Sequence, residues 1–162
     1  MDPTTEYLSD YVCKLTYEDL SPEATHQVKR TLIDSLGCAV GAFDSEPASI
    51  ARRMASRVQG SPPARILCTS QETSADMAAF ANTCLVRYLD CNDAYAARGT
   101  GHPSDMIPGV LAVAGSHRMH GRAVITAIKP PTRYSVGWPT RFPRRAGTRG
   151  CSWPSGRPAA SA

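Results

Sequence analysis

SADMAAFANTCLVRYLDCNDAYAARGTGHPSD, residues 74–105, contains a helix, a polar break and the start of another helix in one run. Ser74 is a capping hydroxyl, and Met77, Phe80, Ala81, Cys84, Leu85 and Tyr88 follow it at helical spacing. Asp90 ends that pattern, and Ser104 opens the next. Between them, Ala94 to Gly101 is small-sided and short of core residues, which predicts a flexible loop. Residues 88–105 also place three carboxylates (Asp90, Asp93, Asp105), the Asn92 amide and the His102 imidazole together. Reactive groups are often carried this way, on a loop between rigid elements. A Ser-Asp pair at a helix start also turns free backbone N–H groups toward an anionic ligand. A plain interhelical loop with an N-cap has the same composition, so the residue types alone leave both readings open.

Working outward, the rest of the first 128 residues is also helical in pattern. Residues 5–16 carry Tyr7, Leu8, Tyr11, Val12 and Leu15 on one stripe. Ser21-Pro22-Glu23 is a start signal: a cap, a proline in the first turn and an acid near the positive helix end. Behind it the large residues Val28, Leu32, Ile33, Leu36 and Val40 are expected to face inward. A third helix is expected over 47–58, with Ile50, Ala51, Met54 and Val58 inside and Arg52, Arg53 and Arg57 in solvent. Gly60-Ser61-Pro62-Pro63 stops it, and Arg65–Thr69 is too short for a helix and reads as an extended segment. Ser104 to about Met119, with Pro108 in its first turn, and a segment from Ala123 complete six helical patterns. Short connections between helices predict an all-α, bundle-like domain over residues 5–128.

Composition adds bounds. The chain has 162 residues and a net charge of +4, but residues 129–162 hold seven basic residues and no acidic ones. Residues 1–128 therefore carry 11 basic and 14 acidic side chains, a mildly acidic domain with no case for binding nucleic acid. No apolar run approaches the roughly 20 residues that span a bilayer, and the polar, acidic start differs from a signal peptide. The six cysteines lack CxxC spacing; Cys13, Cys38, Cys68 and Cys84 lie among apolar residues and are expected to be buried thiols of a cytoplasmic protein. His117 and His120 stand three apart without a nearby acidic or thiol partner, so an exposed helix end is expected there and no metal site.

The central motif resembles a known signature. VRYLDCND (86–93) with GHPSD (101–105) looks like that of the 2-methylcitrate dehydratase family, MmgE/PrpD, which also includes cis-aconitate decarboxylase. VKRTLIDSLGC (28–38) and LAVA (111–114), continuing through GR to ITAI (125–128), look like the same family in the same order. The resemblance implies the N-terminal part of that family's helical domain, an elimination of water from a tricarboxylate, no cofactor, and a homodimer. It matches Asp90 and His102 to the family's catalytic aspartate and histidine, with Asp90 either orienting the imidazole or itself the base, and without deciding which is base and which acid. Asn92 and Asp93 suit loop shaping; Asn92 and Ser104 are the candidates for substrate contact. Cis-aconitate decarboxylases carry a threonine four residues after the aspartate, where this chain has Ala94. The family's later histidine and lysines, which bind substrate carboxylates, lie beyond the matching part, so the expected chain is an inactive fragment. Apolar surface is expected to stay open chiefly on the helices after Ser74 and Ala123.

The character changes after Ile128. Residues 129–162 hold six of the thirteen prolines, both tryptophans and no Leu or Ile, which predicts an unstructured basic tail. One function for it is to touch RNA, making the chain a non-catalytic helical module with a nucleic-acid-binding tail. Another reading is a slipped frame. Codons permitted by Lys129 to Thr140, re-read one base out of phase, allow AAYEIQCRLADA, which resembles the family's next helix.

Overall fold

The computed structural model describes residues 2–96 and 100–129, so the expectation of a disordered tail falls outside the described residues except at Lys129. Among the described residues six helices follow one another: α1 Pro3–Lys14, α2 Pro22–Gly41, α3 Glu46–Ala55, α4 Ala75–Arg87, α5 Ile107–Ser116, and α6 through residues 121–129. Two antiparallel pairs of two-residue strands interrupt them. β1 (Ala64–Arg65) pairs with β2 (Glu72–Thr73) between α3 and α4. β3 (Tyr95–Ala96) pairs with β4 (Thr100–Gly101) between α4 and a 3-10 turn, Pro103–Met106. The all-α expectation holds, and the extended segment near Arg65 is one arm of a small hairpin.

Local chemistry explains the ends. The Ser21 hydroxyl accepts the Ala24 N–H at 3.2 Å, and Pro22 occupies the first turn of α2. The Glu23 carboxyl is held below its ordinary value by its own backbone N–H and by Ser21. Gly60 is required by a close approach: a Cβ there would meet the Ser74 backbone at 2.4 Å. The hairpin is tied down by two buried side chains. Asn82 accepts the Leu67 N–H at 2.8 Å and donates to the Arg65 carbonyl at 3.3 Å. The Thr73 hydroxyl lies 2.7 Å from the Ala55 carbonyl and 2.9 Å from that of Val58, closing the end of α3.

Central α4 packs against α2, α3 and α5. Its main core is built from small side chains: Ala39, Ala48, Ala51, Ala55 and Ala81 around Ile66, Leu85 and Val86. A second cluster joins Val28 of α2, Ile107 of α5 and Ile128 of α6. Alanine faces let helix axes approach closely, so the contact depends on backbone proximity as much as on side-chain bulk.

That choice overturns the expected faces. On α2 the buried residues are Val28, Thr31, Ser35, Cys38 and Ala39, whereas Ile33 is 70% and Val40 64% exposed. On α3, Ala48, Ala51 and Ala55 are inside, while Ile50, Met54 and the following Val58 are exposed. Both sets of positions repeat with helical spacing, so periodicity predicts the helix but not its rotation. On α1 none of the side chains described is buried, and Tyr7 and Val12 are exposed. Phe80 and Tyr88 also face out. Open apolar surface thus lies mainly on α2 and α3, and α6 presents none of the large exposed residues expected of it. Cys13 and Cys68 are exposed and Cys84 is half-buried; only Cys38 of the four is buried as expected. Arg52 is not a free solvent charge either: it donates to the Phe43 carbonyl at 2.7 Å and stacks 4.0 Å from that ring.

Asn82→Ala strands the Leu67 N–H and the Arg65 carbonyl, and should destabilise the domain by about 2–3 kcal/mol in urea denaturation. The Glu23 shift gives a second check. A carboxyl whose folded value is depressed stabilises fully above its ordinary value of 4.5, and that contribution is lost as pH falls through the folded value. Glu23→Gln should therefore melt earlier than the parent near pH 7 and together with it in strong acid.

Candidate active-site loop

Helix α4 delivers the loop, and its last residue organises it. After Arg87 the chain turns through Asp90, whose φ of 51° lies in the left-handed region, and the Asp90 N–H donates to the Arg87 carbonyl at 3.1 Å. Aspartate tolerates that conformation better than most side chains. The turn ends the helix and leaves the Asp90 carboxylate 77% exposed. The β3–β4 ladder then folds the chain back, pairing Tyr95 with Gly101 and so bringing His102 beside Asp93.

Arg87, only 26% exposed, reaches three partners. Its Nη2 donates to Asp90 Oδ1 and its Nη1 to Asn92 Oδ1, each at 3.0 Å, and its Nε forms an ion pair with Asp105 Oδ1 at 3.0 Å. Asn92 is buried and its Nδ2 donates to the Val86 carbonyl at 2.9 Å, so both ends of the amide are engaged. Asp93 closes the loop twice: Oδ1 accepts the Ser104 N–H at 3.1 Å, and its main-chain carbonyl lies 2.8 Å from His102 Nδ1. A carbonyl only accepts, so His102 Nδ1 carries a proton, and in the neutral imidazole the lone pair therefore lies on Nε2.

The four expected site residues are thus brought onto one loop, in different settings. Asp90 is exposed and His102 half-buried, and they bond to Arg87 and Asp93 respectively, not to each other. Asn92 and Ser104 lie behind the surface, Ser104 with 0% exposure and a hydroxyl that lacks a hydrogen-bond partner. Ser104 stands in the 3-10 turn, and α5 begins three residues later than its expected start. Arg87 was not singled out by residue type, although its place three residues before Asp90 on a helix was a usable signal.

An open cleft of about 520 Å³ runs between α2 and this loop, lined by Gln27, Arg30, Thr31, Asp34, Asn92 and Asp93 among others. Behind it, burial and a hydrogen bond to Cys91 push the Cys38 thiol up. Among the described residues no three His, Cys, Asp or Glu side chains are grouped to hold a metal ion. His117 and His120 are exposed, with the His120 ring accepting the Ala123 N–H. No described helix is long and apolar enough to cross a membrane.

Fold and loop together define a helical domain that presents a carboxylate and an imidazole between two of its helices. The chain belongs to the MmgE/PrpD family: the profile of the MmgE/PrpD N-terminal domain matches residues 6–129. Over 124 residues it is 36% identical to the 2-methylcitrate dehydratase of Cupriavidus necator, covering 72% of this chain and 25% of that protein. It is 34% identical over 108 residues to the 2-methylcitrate dehydratase of Salmonella typhi, 65% of this chain and 22% of the relative. A probable 2-methylcitrate dehydratase of Saccharomyces cerevisiae is 37% identical over 83 residues, 51% of this chain and 16% of the relative. The chain therefore matches a quarter or less of the length of these relatives.

Asp93→Ala removes the acceptor for the Ser104 N–H and should lower stability by about 1–2 kcal/mol, as loss of a helix cap does. Chemical denaturation of the two proteins checks it, with Asp93→Asn expected to retain most of the parent stability.

Proposed function

We propose that this loop is the N-terminal half of a hydro-lyase site that eliminates water from a tricarboxylate. The observation that carries the reading is His102, with Nδ1 held by the Asp93 carbonyl and Nε2 left to exchange a proton, on the same loop as the exposed Asp90 carboxylate. The relatives named 2-methylcitrate dehydratase support the choice of reaction. Such an elimination removes a proton alpha to a carboxylate and protonates the departing hydroxide. Asp90 and His102 serve as that proton-transfer pair. Asn92 holds the loop, and Ser104 backs the site from beneath.

Charge separates the half-site from a working one. Asp90 and Asp105 share the Arg87 guanidinium with Asn92, so all three of its nitrogens are engaged by the loop, and Arg30 is the one cation that the cleft lining adds. Binding a tri-anion needs cations or N–H dipoles aimed at its carboxylates and at the developing charge. In our reading those groups belong to the part of the relatives that this chain does not match. The folded unit is residues 5–128, and residues 129–162 are read from a slipped frame. The five described cysteines are free thiols, which suits a reducing cytoplasm, and the complete enzyme is a homodimer.

Purified 1–162 should show no turnover of 2-methylcitrate; turnover above a His102→Ala control overturns the half-site reading. A chain carrying the shifted frame and a family-length continuation should be active. In it, Asp90→Asn and His102→Ala should each lower kcat by roughly 10²-fold or more. Wild-type rates in either variant would remove that residue from the chemistry.

A further inference from the structure

We propose that Arg87 is the positioning residue of this site, and that its three-way fork fixes the tautomer of His102. The inference is drawn from geometry; its importance for catalysis rests on the proton-transfer reading above.

Residues 90–93 and residues 102–105 form the two limbs of the loop. Arg87 holds the first limb through Asp90 and Asn92 and the second through Asp105, with all three distances at 3.0 Å. Asn92 is fixed again from behind by the Val86 carbonyl. The next residue, Asp93, owes the direction of its carbonyl to that anchored neighbour, and the carbonyl is what His102 Nδ1 meets at 2.8 Å. On the second limb the Asp105 N–H donates to the His102 carbonyl at 3.0 Å, so the residue Arg87 grips is bonded to the histidine's own backbone. One guanidinium therefore controls both sides of the Nδ1–H contact.

A planar guanidinium suits this task. Its donors point outward in fixed directions, so Nε, Nη1 and Nη2 each serve a different residue, and its partial burial limits competition from water. The left-handed backbone at Asp90 needs support from its surroundings, which the contact to Nη2 supplies. Without the fork the limbs separate, the Asp93 carbonyl drifts, and neutral His102 relaxes toward the Nε2-protonated form that free histidine favours. That form offers the wrong nitrogen to a substrate proton.

The test reads the tautomer directly. Long-range proton–nitrogen correlation spectra of ¹⁵N-labelled 1–162, recorded where the imidazoles are neutral, should show His102 as Nδ1–H. In Arg87→Gln the pattern should move to a mixture, with His26, His117 and His120 unchanged as internal controls. Asp105→Asn, at a surface position that opens no cavity, should shift it partway in the same direction and serves if Arg87→Gln does not fold. A His102 that is Nε2-protonated in the parent, or that keeps the parent pattern in both variants, overturns the proposal. In an active extended chain, Arg87→Gln should lower kcat by roughly 10-fold or more with KM little changed, as expected when a reacting group is misplaced; an unchanged kcat overturns it. The spectra require no turnover, so failure of the hydro-lyase reading and failure of this inference are separable.

Discussion

A single guanidinium at the end of α4 joins the two limbs of the polar loop to the helical scaffold. Arg87 is rigid at its backbone because α4 is the helix against which α2, α3 and α5 pack. Its side chain carries that rigidity outward to Asp90, Asn92 and Asp105. Charge-assisted bonds of this kind contribute about 1.5–3 kcal/mol each when shielded and less at exposed ends. Asp90 and Asp105 lie toward the exposed limit, and the buried Asn92 toward the other. Together with the Asp93 contacts, they hold an irregular segment against the end of α4.

The scaffold beneath is packed through alanines. Close contact at Ala48, Ala51, Ala55 and Ala81 sets the spacing of α3 and α4, and the bulkier Ile50 and Met54 point away. The same holds on α2, where Ile33 and Val40 lie opposite the buried Ser35 and Ala39. Contiguous apolar patches beyond a few hundred Å² tend to drive association. These outward faces belong to a chain that matches a quarter or less of the length of its relatives.

Much of this was readable from residues 1–128. Caps and stops such as Ser21-Pro22-Glu23 and Gly60 acted locally, so the order of helices followed from them. Helix rotation did not, because the expected set of Val28, Leu32, Ile33, Leu36 and Val40 and the buried set of Val28, Thr31, Ser35, Cys38 and Ala39 share one period. Choosing between them requires knowing which neighbour comes close. The candidate site was legible as a set of residue types and through its family resemblance. Its wiring was not: that Asp93 rather than Asp90 meets the imidazole depends on the β3–β4 register, two residues long and without a strong sequence signal. In the sequence Arg87 reads as an ordinary charge in the last turn of a helix, a favourable dipole partner and no more.

The central claim is that the described residues preorganise the loop without help from the rest of a family-length chain. Amide hydrogen exchange on 1–162 tests it most directly, because the Asp90, Ser104 and Asp105 N–H groups are each hydrogen-bonded inside the loop. Protection of these three amides approaching that of the α4 interior is the expected result. Exchange at the rate of an unstructured peptide, with α4 itself protected, would contradict the account.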